Sequence, residues 1–293
     1  MANSIAKFKM YITGLLDEVY KNAAKTSVLD GAPELVRQGA NANELVIPKM
    51  SMDGLANYSR NSGYVTGDVT LTYETVACNF DRGRMFSVDN VDNMETAGIA
   101  FGRLAGEFLR TKVVPELDAF RFATYAGISG LSTVSAAALS TGANAIAAVA
   151  TAYDTMTDDE VPEENRYLFI TPAIAGLIRD LDTTKSKEVM SKFAAVITVP
   201  QARFYTAITQ YDGTTSGQEA GGYIKDATNG KNINFMIIHK DAVIQFEKHV
   251  APKVITPEQN QDADAYKFGY RNVGIADVYE NKVAGIYLHK STS

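Results

Sequence analysis

The chain has 293 residues, 46% of them hydrophobic, which is enough for a buried core and for two subdomains. Its 34 acidic and 28 basic residues leave a net charge of −6, which argues against a protein that coats nucleic acid through a basic stripe. A single cysteine, Cys78, excludes an internal disulfide framework, no run approaches the ~20 apolar residues of a membrane span, and the opening MANSIAKFKMYITGLLDEVY does not read as a secretory leader.

Residues 5–20 place Ile5, Phe8, Ile12, Leu15, Leu16 and Val19 on one helical face. The following KTSVLDGAPELVRQGANAN is a poor core segment and reads as an extended arm. LVIPKM is a short strand whose Pro48 favours an edge position. The glycine- and serine-rich SMDGLANYSRNSGYVTGD comes next, and then DVTLTYETVACNF alternates. Val69, Leu71, Tyr73 and Thr75 share one face, and Thr70, Thr72, Glu74 and Val76 the other. This pattern predicts a long two-stranded hairpin. Strands of about 12 residues would reach roughly 40 Å. Such a ribbon is not stable alone in water, so its own globule or another subunit must cover its apolar face.

Residues 92–126 carry the longest helical signal. Asp92 and Glu95 have capping-box spacing; Met94, Ala97, Phe101, Leu104 and Phe108 form an apolar face; Arg103 and Glu107 stand at i,i+4. Pro115 should kink or restart the helix, which ends near Gly127. An Ala/Ser-rich stretch, GISGLSTVSAAALSTGANA, is a hinge candidate. Residues 128–265 then read as a separate α/β unit. ANAIAAVATAYDTM and PAIAGLIRDL are helices, RYLFIT is a buried strand, and ITVPQARFYTAI and INFMIIHK are strand candidates. YDGTTSGQEAGGYIKDATNGKN reads as a long polar loop, and DAVIQFEKHVAPKVITPEQN as a short helix followed by an extended segment. Strands return with alternating Tyr266, Phe268 and Tyr270, and with Val283, Gly285 and Tyr287, across a turn at Glu280-Asn281-Lys282.

No catalytic constellation emerges. His239, His249 and His289 lack metal-binding spacing, and Cys78 has no second cysteine beside it. Gly127-Ile128-Ser129-Gly130 misses the second glycine position of a nucleophile elbow. Asn229-Gly230-Lys231-Asn232 departs from a phosphate loop at both ends. The acids Asp158, Asp159, Glu160, Glu163 and Glu164 read as a solvated loop. The expectation is therefore no enzyme, no cofactor and no metal.

One feature of the long helix is unusual. Gly98, Gly102 and Gly106 recur at every fourth position, each costing roughly 1 kcal/mol relative to alanine. Charged neighbours exclude a membrane pairing motif, so another element must approach closely there, either the chain's own sheet or a neighbouring subunit.

In order and spacing, these pieces resemble the tailed-bacteriophage major capsid proteins of the Hong Kong 97 fold. GLANYSRNSGYVTGDVTLTYET looks like the family's long E-loop hairpin, and NFDRGRMFSVDNVDNMETAG leads out of it. AFGRLAGEFLRTKVVPELDAFRFA looks like the spine helix, and KFGYRNVGIADVYENKVAGIYLHK like the closing peripheral strands. The resemblance implies an α+β fold with an N-terminal arm (1–44), an E-loop (45–90), a peripheral domain with the spine helix (91–130 and 263–293) and an α/β axial domain (131–262). It implies copies of the chain as partners, in pentamers and hexamers forming an icosahedral shell around DNA, without sequence-specific DNA binding and without a membrane. It also implies a virion assembled in the host cytoplasm and a portal; since the sequence opens on the arm helix at Met1, the expectation is a separate scaffolding protein, the alternative being a chain already trimmed of an N-terminal segment. On this resemblance Arg60, Asp81, Arg82, Arg84 and Glu95 are candidates for intersubunit ion pairs, beside the three glycines. Lys49 lies near the hairpin, but nothing supports cross-linking through it. Two rivals stand beside this reading: an encapsulin-like nanocompartment shell of the same fold, and a soluble hydrolase with an unrecognised site.

Overall fold

The computed structural model describes residues 24–31, 37–38, 44–95, 99–135 and 139–291. The expected helix over 5–20 lies outside them.

Strands β1 (Arg37–Gln38), β2 (Glu44–Met52) and β3 (Val69–Ala77) form an antiparallel sheet with β2 in the middle. Pro48 pairs with Tyr73 of β3. After two residues the chain enters β4 (Phe80–Asp89) and then helices α1 (Asn90–Glu95) and α2 (Ile99–Phe108). A π turn, Leu109–Val113, carries α2 into α3 (Val114–Ala126). Pro115 explains the wide turn. It has no N–H to donate and its ring would strike the carbonyl four residues back, so it sits in the first turn of α3 instead. Helix α3 ends at Gly127, as its sequence predicts.

The second half holds β5 (Ser132–Ser135), α4 (Gly142–Asp158), β6 (Arg166–Ile170), α5 (Pro172–Leu181), α6 (Thr184–Ser191) and β7 (Ala195–Thr198). It continues through β8 (Ile208–Gln210), β9 (Tyr223–Lys225), β10 (Ile233–His239), β11 (Val243–Ile255), β12 (Ala265–Val278) and β13 (Ile286–Lys290). One sheet has the order β5-β13-β10-β6-β7, and another the order β11-β12-β4.

Period-two alternation sorts the five-stranded sheet's side chains into two cores. Leu168, Ile170, Phe235, Ile237 and Tyr287 face α4, α5 and α6. Phe169, Met236, Ile238, Ile286 and Leu288 face Phe122 and Tyr125 of α3. Both faces are covered, which is why RYLFI and INFMIIH read as continuous apolar runs. Helix α4 approaches α5 so closely that a Cβ on Gly142 would strike the Leu177 carbonyl. The buried Arg166 guanidinium sits 4.4 Å over the Tyr153 ring and donates to the carbonyls of Tyr153, Val161 and Pro162 near the end of α4. There it meets the negative pole of the helix, although burial lowers its pKa.

Several elements differ from the sequence expectation. DAVIQFEKHV is not a short helix; it opens β11, which pairs with β12 from Val243 to Ile255 across one register shift after Glu247. Ile244 packs on Ile275, so strand pairing wins over helical spacing. The polar loop contains β9, held to β8. Val283 and Gly285 lie in a 3-10 stretch (Glu280–Gly285), not a strand, and a Cβ on Gly285 would strike Ala242. Helix α6 carries a capping box between Thr183 and Ser186 that the sequence reading did not use. β13 lies beside β10 in the five-stranded sheet, whereas β11 lies with β12 and β4.

The two histidines of the five-stranded sheet make stability pH-dependent. His289 is buried, stacks 4.9 Å from the Phe235 ring and has its Nδ1 3.1 Å from Asn234 Nδ2. His239 is buried at the end of β10. Burial depresses both pKa values, so the unfolded chain binds more protons than the folded one at acid pH. We expect stability to be fully present above the ordinary histidine pKa of about 6.5 and to fall as pH drops through the depressed values. Urea midpoints measured from pH 7.5 to 5 check this, and His289→Gln should flatten the curve.

Candidate assembly surface

The β2–β3 ribbon is held by nine residues on each strand, shorter than the expected 12, and extends about 30 Å. Register places Met50 opposite Leu71 and Met52 opposite Val69, so each pair shares a face. Tyr73 continues that row two residues past Leu71. These five side chains are 49–68% exposed. At the tip, Asp68 N donates to Asp53 Oδ2 at 2.9 Å and closes the neck. Beyond it the Tyr58 and Tyr64 rings lie 4.9 Å apart, and Leu55, Tyr58, Tyr64 and Val65 are exposed. Covering one such side chain contributes about 1.5–3 kcal/mol. Nothing among the described residues covers them.

The root of the ribbon is fastened firmly. β4 follows β3 directly and pairs with β12 from Phe80 to Asp89. Asp81 accepts two hydrogen bonds from Arg271, at 2.8 and 2.6 Å, and these hold its carboxyl below the usual carboxylate range. Arg82 Nε donates to Glu116 Oε1 at 2.8 Å, and its Nη2 donates to the Tyr211 carbonyl at 2.8 Å. Burial pushes the Glu116 carboxyl up, and Arg82 opposes the shift. Arg84 Nη2 donates to the Glu219 carbonyl at 2.9 Å. Two arginines thus strap segment 211–222 to the strand that carries the hairpin. A cleft of about 1190 Å³ lies between β4, the spine from Arg103 to Glu116, and this segment; Phe86, Leu104, Phe108 and Tyr223 line it.

The intersubunit candidates therefore separate. Asp81, Arg82 and Arg84 have partners within the chain, because register brings β4 beside Arg271 and places it under segment 211–222. Arg60 is exposed at the tip, and Glu95 is exposed at the end of α1. Gly98 lies outside the described residues. Gly102 belongs to α2. A Cβ on Gly106 would meet nothing within 4 Å among the described residues. Leu104 and Phe108 pack toward Phe268 and Tyr270 as an apolar helix face should, but Met94 is exposed. Glu107 pairs with Arg110 at 2.6 Å and not with Arg103.

A second buried feature fixes the arm's root. Segment 24–31 is not a loose arm: Thr26 and Leu29 are buried. The fully buried Asp118 of α3 accepts from Lys25 N, Thr26 N and Thr26 Oγ1 at 3.0, 3.1 and 2.7 Å, and from Arg203 at 3.2 Å. Arg121, one turn later, donates to Thr26 Oγ1 at 2.9 Å and to Glu247 at 3.2 Å. Gln245 donates to the Thr26 carbonyl at 2.7 Å and to Asp30 at 2.6 Å, and it accepts from the Tyr125 hydroxyl at 2.8 Å. The sequence signal was present: Asp118 and Arg121 stand at i,i+3 in an apolar helix.

Among the described residues there is no group of three or more metal-ligating side chains, and no helix is long and apolar enough to cross a membrane. Removing one partner of a buried ion pair strands the other charge. Asp118→Ala is expected to cost about 3–5 kcal/mol in urea unfolding, with a raised exchange rate of the Lys25 and Thr26 amides.

No family model and no curated protein matches the sequence. Solved structures do. A chain from Mycobacterium phage Che8 aligns with a TM-score of 0.55 at 14% identity, over 92% of this chain and 90% of that one. The capsid of cyanophage P-SCSP1u gives 0.56 at 13%, over 88% and 86%. A virus-like particle from Pyrococcus furiosus gives 0.57 at 9%, over 97% and 100%. A projecting hairpin, a long helix beside a three-stranded sheet, and a five-stranded sheet between helices are thus assembled as in these shells. The chain has the α+β Hong Kong 97-type capsid fold.

Proposed function

We propose that the chain is a major capsid protein whose copies assemble into pentamers and hexamers of an icosahedral phage shell. The observation that carries this reading is the uncovered apolar row Met50, Met52, Val69, Leu71 and Tyr73 on a ribbon with a firmly fixed root. A two-stranded ribbon is marginal in water by itself, so the row is an interface that awaits a partner. The fold shared with capsids supports the view that the partner is another copy. The division into arm, E-loop, peripheral and axial domains, with the ring axes among the axial loops, belongs to this reading. So do enclosed DNA, a portal, a separate scaffold, and assembly in the host cytoplasm. The net charge of −6 keeps such a shell from adhering to packaged DNA.

Sedimentation velocity with negative-stain microscopy on the full chain tests the reading. Shells or five- and six-membered rings are the expected result. A stable monomer at every salt and protein concentration would return the chain to the soluble-hydrolase alternative. Particles filled with an enzyme, without DNA, would favour the nanocompartment reading.

The glycine stripe gives a separate test. Gly106→Ala should stabilise the isolated chain by about 1 kcal/mol, since the space is open and alanine is the better helix former. Gly106→Leu should fold normally yet assemble poorly if another copy lies against that face. Thermal melting and particle yield, measured on the same preparations, distinguish the two effects.

A further inference from the structure

We infer that the cleft between β4, the spine and segment 211–222 binds an adenine nucleotide, its base edge on Asn272 and its phosphate on Arg103 and Lys112. The sheet face beneath the spine supplies the first observation. Register sets Phe86 opposite Phe268, Arg84 opposite Tyr270 and Arg82 opposite Asn272, so these residues share that face. Phe268 and Tyr270 pack there against Leu109 of the spine. Arg82 is bonded to Glu116, and Arg84 to the Glu219 carbonyl. Asn272 is left over. It is 1% exposed and lines the cleft. The Tyr270 hydroxyl lies beside it, yet neither polar atom of its amide has a partner in hydrogen-bond geometry among the described residues. A buried amide left so opposes folding, and it calls for a partner that the chain does not supply. A carboxamide offers one donor and one acceptor side by side. That is the complement of the adenine edge, an amino donor beside a ring-nitrogen acceptor.

The rest of the cleft fits the rest of a nucleotide. Its volume, about 1190 Å³, is ample for one. Phe86 and Phe108, with ring centres 4.8 Å apart, and Tyr270 give it aromatic walls, and every base has a face that stacks on such rings. The carboxylates in the lining are all engaged. Arg271 holds Asp81 and Arg110 holds Glu107, both from outside the lining, and Arg82 holds Glu116. Asp212 accepts from the Thr215 hydroxyl and from the amides of Thr214 and Thr215. Arg103 and Lys112, by contrast, are exposed on the spine and also line the cleft. The cleft is thus positive in a chain whose net charge is −6. Positive charge beside aromatic walls selects a flat ring that carries an anion. None of this depends on the shell reading.

Isothermal titration calorimetry on the full chain tests the site, with dAMP, AMP, adenine, inorganic phosphate and a short single-stranded oligo-dA as probes. A single dAMP should bind per chain, about tenfold or more tighter than adenine or phosphate alone. Arg103→Gln with Lys112→Gln should weaken dAMP about tenfold and leave adenine unchanged. Asn272→Val separates binding from folding. Its amide has no partner to lose, so the variant should melt at or above the wild-type temperature, yet bind dAMP about tenfold more weakly. A lower melting temperature with binding intact would mark a structural asparagine and overturn the assignment. Tighter binding of oligo-dA than of dAMP would identify unpaired DNA as the source of the base; tighter binding of AMP and dAMP would identify free nucleotides. No binding of any adenine compound, phosphate binding as tightly as dAMP, or full affinity in Asn272→Val would overturn the site. Each of these failures leaves the shell reading intact, since sedimentation tests that separately.

Discussion

The arrangement depends on the buried knot around Asp118 and Arg121. One carboxylate and one guanidinium, a single turn apart on α3, gather the arm root, the long helix, β11 and Arg203. An apolar core would hold these elements together but leave their rotation loosely set. A charge taken out of water must instead find each of its partners, and the geometry satisfying all of them is narrow. Asp118 accepts from two consecutive backbone amides, which fixes the direction in which the segment from Ala24 to Gly31 leaves the core. Burial pushes the Tyr125 phenol up, so it stays a neutral donor to Gln245 and completes the set. The helix that underlies the sheet thus also dictates where the arm begins.

A rigid root gives the exposed ribbon its meaning. Flexible apolar segments collapse onto the nearest surface; a ribbon strapped by Arg82, Arg84 and the Asp81–Arg271 pair keeps its apolar row in solvent. Exposed ion pairs contribute under about 1 kcal/mol each. Arg82 does more, because Glu116 is half removed from water and Gln210 shares the same oxygen. The straps therefore act on orientation more than on stability. They also couple the hairpin to segment 211–222, so a displacement of one is felt by the other.

Much of this was legible in the sequence, for physical reasons. Period-two alternation in DVTLTYETVA and a glycine-rich tip specify a hairpin whatever covers it, and Pro115 marks the break in the long helix through its missing N–H. The buried strands announced themselves as unbroken apolar runs. What failed was whatever depends on partners distant in sequence. VIQFEKHV has helical composition, yet twelve residue pairs with β12 decide the outcome. The intrachain partners of Asp81, Arg82 and Arg84 could not be read from spacing, because Arg271, Glu116 and the 211–222 carbonyls reach them only through the fold. Arg60 and Glu95 are exposed.

This division of charged residues has a consequence for building a shell from one chain. Cations at the hairpin root are consumed internally and define shape. Among the hairpin's arginines, Arg60 at the tip is exposed. A contact made from a small apolar patch and one or two screened charges is weak and reversible. Weak contacts allow a misplaced copy to leave before its neighbours lock it in, while many of them together hold a closed shell. Stronger pairing at each joint would trap errors. On the proposed shell reading, the chain concentrates its buried, specific interactions inside the subunit and leaves modest ones for the contacts between subunits.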